Sequence, residues 1–258
     1  MQLTRHNYHS TDANQAYMSV SQFKQFRRCE AMALAEIKGE YSRRTSTAML
    51  VGSYIDAYFT GDLEEFIAEN PDIISSRGAS KGQLKAEFKQ AEEIIDRLMN
   101  DRFFMSHMEG IPQQIYTGEI AGVPFKAKLD FLQKDKIVDL KVVRDFEDIW
   151  SVEDGRRVSW IRFWGYDLQG AVYQELVRQS SGSRLPFFLA PATKETVMDK
   201  AVIQIADHVL DTRLAEVEAL APGFQAIKLG LAEPVRCEKC DYCKSTKVLT
   251  EITVYEGE

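Results

Sequence analysis

The chain is short of positive charge: 32 Lys and Arg face 39 Asp and Glu, for a net charge of −7. That balance argues against a surface uniformly suited to polyanions, although phosphate binding depends on local field and not on the total. No run of eighteen apolar residues occurs, which excludes a membrane-spanning helix. The opening Met1-Gln-Leu-Thr-Arg-His has no apolar core of the kind a secretory leader needs, so a cytoplasmic setting is expected. Gly-x-x-x-x-Gly-Lys is absent, so no ATP motor of the P-loop kind is built in. The four histidines, His6, His9, His107 and His208, fit no metal-ligand spacing. There is no internal repeat or low-complexity run. Four cysteines in 258 residues do not make a disulfide framework, and a chain this long can bury a sizeable core without one. One domain spanning 1–258 is expected, with a helical N-terminal part over about 19–110, a sheet-and-helix part over about 111–220 and a cysteine-bearing tail over about 232–258.

Two short runs carry the chemistry. In residues 125–131, Phe125, Ala127, Leu129 and Phe131 alternate with Lys126, Lys128 and Asp130, the pattern of a strand with one apolar face. In residues 137–143, Ile137, Asp139, Lys141 and Val143 share a face opposite Val138, Leu140 and Val142. A hairpin with Lys134-Asp135 at its tip sets Asp130 across from Asp139. Cross-strand partners sit about 5 Å apart at Cβ, where like charges repel. A divalent cation between them turns that repulsion into a binding site, because hard cations favour carboxylate oxygens. Lys141 reaches the same space and can orient water or offset phosphoryl charge.

Asp130 followed by Asp139-x-Lys141 on the next strand resembles the core of the PD-(D/E)xK nuclease superfamily. The helix carrying Gln169-x-x-x-Tyr173 resembles the motif of its RecB-like and RecE-like branch. Gly52-Ser-Tyr-Ile-Asp56 stands where that branch has G-x-x-x-H, with Asp56 in place of the histidine. The resemblance implies an α/β (α+β) fold with a restriction-endonuclease-like core: a mixed central sheet flanked by helices. It implies Mg2+ or Mn2+ held by Asp130 and Asp139, with Asp56 as a third carboxylate, and Lys141, Gln169 and Tyr173 beside them. It also implies hydrolysis of DNA, with the phage-type exonuclease VIII-like enzymes nearest in flavour. That group digests linear duplex ends, works with a single-strand annealing protein and tends to form homo-oligomeric rings.

The cysteines are a second feature. Cys237-x-x-Cys240-x-x-Cys243 has the tight spacing of iron–sulfur or zinc ligation, and Cys29 is the one thiolate left to complete a set of four. One early and three late cysteines resemble the iron–sulfur RecB-like nucleases, where a 4Fe-4S cluster staples the chain ends together. Structural Zn2+ and plain reduced thiols are the alternatives.

Helices are expected over 19–38, 45–59, 82–99, 160–178 and 207–220, and strands over 113–120, 125–132, 137–143, 186–192 and 201–205, with a polar loop over 144–157. Basic residues gather at Arg27-Arg28, Arg43-Arg44, Lys126/Lys128 and Arg156-Arg157 with Arg162. Two of Trp160, Phe163 and Trp164 are expected in the core. Two other readings stay open: a metal-stapled DNA-binding module without activity, and an enzyme on another phosphorylated substrate. A structure-selective or single-strand nuclease with the same core is open as well.

Overall fold

The structure, a computed structural model, describes residues 1–250 together with 252, 254 and 255. The cysteine tail expected over 232–258 therefore runs past the described residues at its end. Strands β1 (Ile111–Ile120), β2 (Val123–Leu132) and β3 (Ile137–Val143) form an antiparallel meander. The β1–β2 turn is the pair Ala121-Gly122, both at positive φ, which matches the twist of the flanking strands. β4 (Ile149–Ser151) and β5 (Arg156–Val158) make a separate small hairpin in the segment expected as a loop. β6 (Phe187–Thr193) joins β3 in parallel, and β7 (Ile203–Ile205) adds an antiparallel edge, giving the order β1-β2-β3-β6-β7.

β3 lies mid-sheet and is covered on both faces, so it reads as nearly continuous apolar sequence. Ile137 and Val143 join the core cluster on one side, Val138 and Leu140 the cluster on the other. The first cluster is completed from α2 (Val20–Arg28) and α3 (Glu30–Lys38), which follow the short α1 (Thr11–Ala16). The second is completed from α4 (Thr47–Thr60), α5 (Leu63–Glu69), α6 (Ala86–Met99) and α7 (Arg102–Met108). Parallel pairing of β3 with β6 requires a crossover. It runs through α8 (Trp160–Trp164) and α9 (Tyr166–Ser181), and α9 packs on the first face with α10 (Asp207–Lys228). α11 (Asp241–Ser245) carries the last cysteine. Among the described residues no helix is long and apolar enough to cross a membrane.

The mixed α/β fold and the three meander strands agree with expectation, while several boundaries differ for local reasons. The helix expected over 19–38 is two, because Cys29 is extended (φ −168°, ψ 109°) between α2 and α3. The helix expected over 160–178 is also two, because Gly165 turns left-handed (φ +64°) between α8 and α9. α10 passes through Pro222 instead of stopping before it. Phe131 does not share a face with Phe125, Ala127 and Leu129. The β1–β2 ladder is interrupted opposite Asp130, where Gln113 has φ +58°, and beyond that point Phe131 packs with the second cluster. Of the three aromatics at 160–164, Trp160 alone is buried, and Phe163 and Trp164 are exposed.

Candidate active site

The register of Phe131↔Val138 and Leu132↔Ile137 puts Asp130 opposite Asp139, as the hairpin arithmetic requires. The backbone ladder nevertheless ends one pair earlier. The Asp130 carboxylate takes over, accepting the Leu140 N–H at 3.0 Å.

Asp139 is wholly buried. Its Oδ1 accepts from Gln169 Nε2 at 2.7 Å, and its Oδ2 is ion-paired with Lys141 Nζ. Lys141 Nζ also stands 3.9 Å from Asp130 Oδ2 and lies over the Tyr166 ring. Burial pushes Asp139 up, only partly countered by the Lys141 ammonium, and Asp130 adds to the rise. Burial also works against the charge on Lys141, but Asp139 and Asp130 more than offset it and hold the lysine above its ordinary range. Asp56 projects from α4 into a cavity of about 820 Å³ that Asp130 and Lys141 also line. Burial first, and Asp130 second, push Asp56 up to about 7. Thus Asp56, Asp130, Asp139, Lys141 and Gln169 converge on one place. Tyr173 stands one turn along α9 from Gln169, edge-on to Phe187, with its hydroxyl held well above the ordinary range by burial.

The donor set fits a hard divalent cation. Asp56 Oδ1 is a buried oxygen without a hydrogen-bond partner, Asp139 Oδ2 meets the Lys141 ammonium alone, and three carboxylates face that one lysine. Oxygen-rich, negatively charged and partly unsatisfied is what Mg2+ or Mn2+ requires.

Lys24 belongs to none of the sequence motifs yet stands beside the site. Its Nζ donates to the Trp164 carbonyl at 3.0 Å, and burial, then Lys141, lower its pKa to about 8. The sole sequence signal is its place one turn before Arg28 on α2. Several basic residues expected to meet a polyanion are engaged within the protein instead. Lys126 is buried and bonds Asn14 Oδ1 at 2.8 Å, Arg27 pairs with Glu153 and Glu216, and Arg162 pairs with Asp154.

The second candidate centre joins α2–α3 to the tail. The Sγ atoms of Cys29, Cys237, Cys240 and Cys243 all lie within 4.8 Å of one another. The Cys240 N–H points at Cys237 Sγ (3.3 Å), and the Cys243 N–H at Cys240 Sγ (3.4 Å). Backbone N–H groups from Lys239 and then Cys240 lower Cys237 to about 6, whereas burial raises Cys29 to about 12. Glu238, at φ +57°, makes the tight turn that allows this. Tyr41 and Tyr242 pack edge to face beside the sulfurs. Four converging sulfurs, one already favouring thiolate, suit a thiophilic metal centre.

Fold and site together define a PD-(D/E)xK-type arrangement: a mixed sheet whose meander brings Asp130, Asp139 and Lys141 to one point. The sequence matches the PDDEXK-like domain of unknown function (DUF3799) over residues 19–246, and the chain belongs to that family. No curated protein matches it. A crystal structure of a "putative exonuclease" from Eubacterium rectale is 45% identical to it, with a TM-score of 0.93 over 98% of this chain and 97% of that one.

Proposed function

We propose that the protein is a divalent-metal-dependent deoxyribonuclease, an exonuclease acting on linear duplex DNA. The observation that carries this reading is the convergence of Asp56, Asp130, Asp139 and Lys141, with the buried Asp56 Oδ1 left without a partner. Asp56, Asp130 and Asp139 hold Mg2+ or Mn2+, which when bound supplies charge compensation and an activated water. Lys141 places its ammonium beside the scissile phosphate, where developing negative charge needs a fixed donor. Gln169 holds the Asp139 carboxylate in orientation, and Tyr173 offers a hydroxyl to the DNA backbone without reading sequence. The E. rectale relative adds support for exonuclease chemistry. One nuclease domain over 1–258, a cytoplasmic setting and work in phage-type recombination or repair belong to the same reading. So do an annealing partner and a homo-oligomeric ring.

For the four cysteines the family resemblance favours a 4Fe-4S cluster. The sulfur separations favour its rival. A tetrahedral Zn2+ with bonds of about 2.3 Å spaces its ligands about 3.8 Å apart, and the Cys29–Cys243 and Cys237–Cys243 separations are 3.5 and 3.9 Å. Iron, zinc and sulfide analysis of anaerobically purified protein decides between them.

The deciding experiment for the activity is digestion of linear duplex DNA with Mg2+, Mn2+ or chelator. Metal-dependent loss of linear DNA supports the reading. No hydrolysis under any condition leaves the inactive DNA-binding module.

A further inference from the structure

Two cavities meet at Asp130 and share no other lining residue. The larger holds Asp56 and Lys141. The smaller, about 410 Å³, lies on the Gln169 and Tyr173 side and is lined in part by Tyr8, His9 and Asn14. These three come from the N-terminal segment, before the residues matched by the family. We propose that this segment stops the DNA groove just past the metal site, so that the smaller cavity takes the terminal nucleotide of a strand and excludes a strand that continues. The proposal rests on the nuclease reading and specifies what that site accepts.

The stop is firmly fixed. Met18 N–H donates to the Pro124 carbonyl (2.8 Å) and Lys126 N–H to the Met18 carbonyl (2.9 Å), which ties the segment to β2. The buried Lys126 ammonium reaches the Tyr8 carbonyl (2.5 Å) and Asn14 Oδ1 (2.8 Å), and lies over the Tyr8 ring. Lys228 holds the Tyr17 carbonyl at 2.8 Å. Tyr8 is itself buried, 6% exposed. The segment thus crosses β2 at Lys126, four residues from Asp130, or about 13 Å at about 3.3 Å per residue. A strand running from Asp130 toward that crossing therefore meets the segment within about 13 Å.

The cavity also has the chemistry of a nucleotide site. Its volume falls among small-ligand pockets, about 300–1,000 Å³, and has no room for a duplex. Of the cations on its lining, Lys24 holds the Trp164 carbonyl, Arg43 pairs with Glu36 and Lys126 anchors the segment, which leaves Lys128 beside Asp130. Lys128 lies between the crossing and Asp130 on β2, where its ammonium can meet a phosphate next to the metal site.

The test compares one plasmid in linear and covalently closed relaxed form, with Mg2+, for wild type, a variant lacking residues 1–10, and Tyr8→Ala/His9→Ala. Wild type should consume the linear form at least about 100-fold faster than it nicks the circle, since an internal strand cannot be seated in register. Opening the stop should bring that ratio to about tenfold or less. Melting curves establish that each variant is folded, and the point variant decides if the truncation is not. Wild type nicking circles as fast as it digests linear DNA overturns the stop while leaving the nuclease reading in place. So does a folded variant with an unchanged ratio. No cleavage of either form removes the nuclease reading, and the stop falls with it.

Discussion

Asp139 and Lys141 form a buried pair whose members cannot be removed equivalently. Lys141→Ala strands the Asp139 carboxylate in a fully buried site, and breaking such a pair costs about 3–5 kcal/mol. That variant should lose activity by orders of magnitude and melt lower than wild type in chelator. Asp139→Asn should lose as much activity with a smaller drop in melting temperature, because the Lys141 ammonium keeps the Asp130 carboxylate 3.9 Å away. Equal melting of Lys141→Ala and wild type in chelator would contradict the pair. Asp130→Ala should be inactive and retain its fold, since Asp130 contributes one bond to the Leu140 N–H and a charge that repels Asp139. Asp56 gives a pH signature. Its carboxyl, pushed up to about 7, keeps a proton in the folded state that the unfolded chain releases near 3.8. The folded state then binds more protons across that window, so metal-free stability falls as pH rises from about 4 to about 7. In chelator, the drop in melting temperature between about pH 5 and about pH 8 should be smaller for Asp56→Asn than for wild type. Identical drops would mean that Asp56 does not carry the shift.

Elements hold these residues in place, and α9 matters most because it delivers Gln169 to Asp139. It approaches the sheet closely at Gly170, where an added Cβ would stand 2.4 Å from Phe187 Cδ1. Gly170→Ala must push α9 away from β6, at a cost of about 1–3 kcal/mol for overpacking. The displaced helix carries Gln169 off the 2.7 Å bond to Asp139. The variant should melt lower and lose activity out of proportion to its folded fraction, measured on the same sample by near-UV circular dichroism and DNA digestion. Activity that merely tracks the folded fraction would show that α9 position is not critical. This scale also explains what was legible in the sequence. β2 and β3 could be read because burial on one or two faces imposes a period of two, and Asp130, Asp139 and Lys141 stand out against it. The break at Cys29 could not, because helix-compatible sequence continues through it, whereas the break at Gly165 left a glycine signal between two apolar runs. What breaks the helix at Cys29 is the distant triplet toward which its thiol turns. The change of face at Phe131 comes where Gln113, a residue on the neighbouring strand, interrupts the ladder without shifting its register. Tyr8 and His9 lie in a polar stretch without periodicity, and only the fold brings them beside Lys128.

Across the whole molecule, the cysteine centre ties together parts that are remote in sequence but adjacent in space. Cys29 and Cys243 are separated by 214 positions, and their sulfurs stand 3.5 Å apart. The tail is anchored nearby, with Val235 N–H donating to Glu30 Oε2 at 2.7 Å and Ala31 N–H to the Val235 carbonyl at 3.2 Å. α2 runs from this centre to the active-site cavity, ending at Cys29 and carrying Lys24 toward Lys141. A metal held by all four sulfurs closes a loop of nearly the entire chain, and metal binding free energy then contributes directly to folding. Cys29→Ser should therefore lower bound metal and melting temperature together, despite its distance in sequence from the triplet. Because α2 also lines the cavity beside Asp130, activity should fall as well, and should recover less on adding Mg2+ than that of Asp56→Asn, whose defect is local. Absorbance near ~400 nm that disappears with Cys29→Ser identifies an iron–sulfur cluster, and a colourless protein that loses one equivalent of zinc identifies a single-ion site. If Cys29→Ser keeps its metal content and melting temperature, the triplet binds alone and the two chain ends are held by packing instead of by a shared centre.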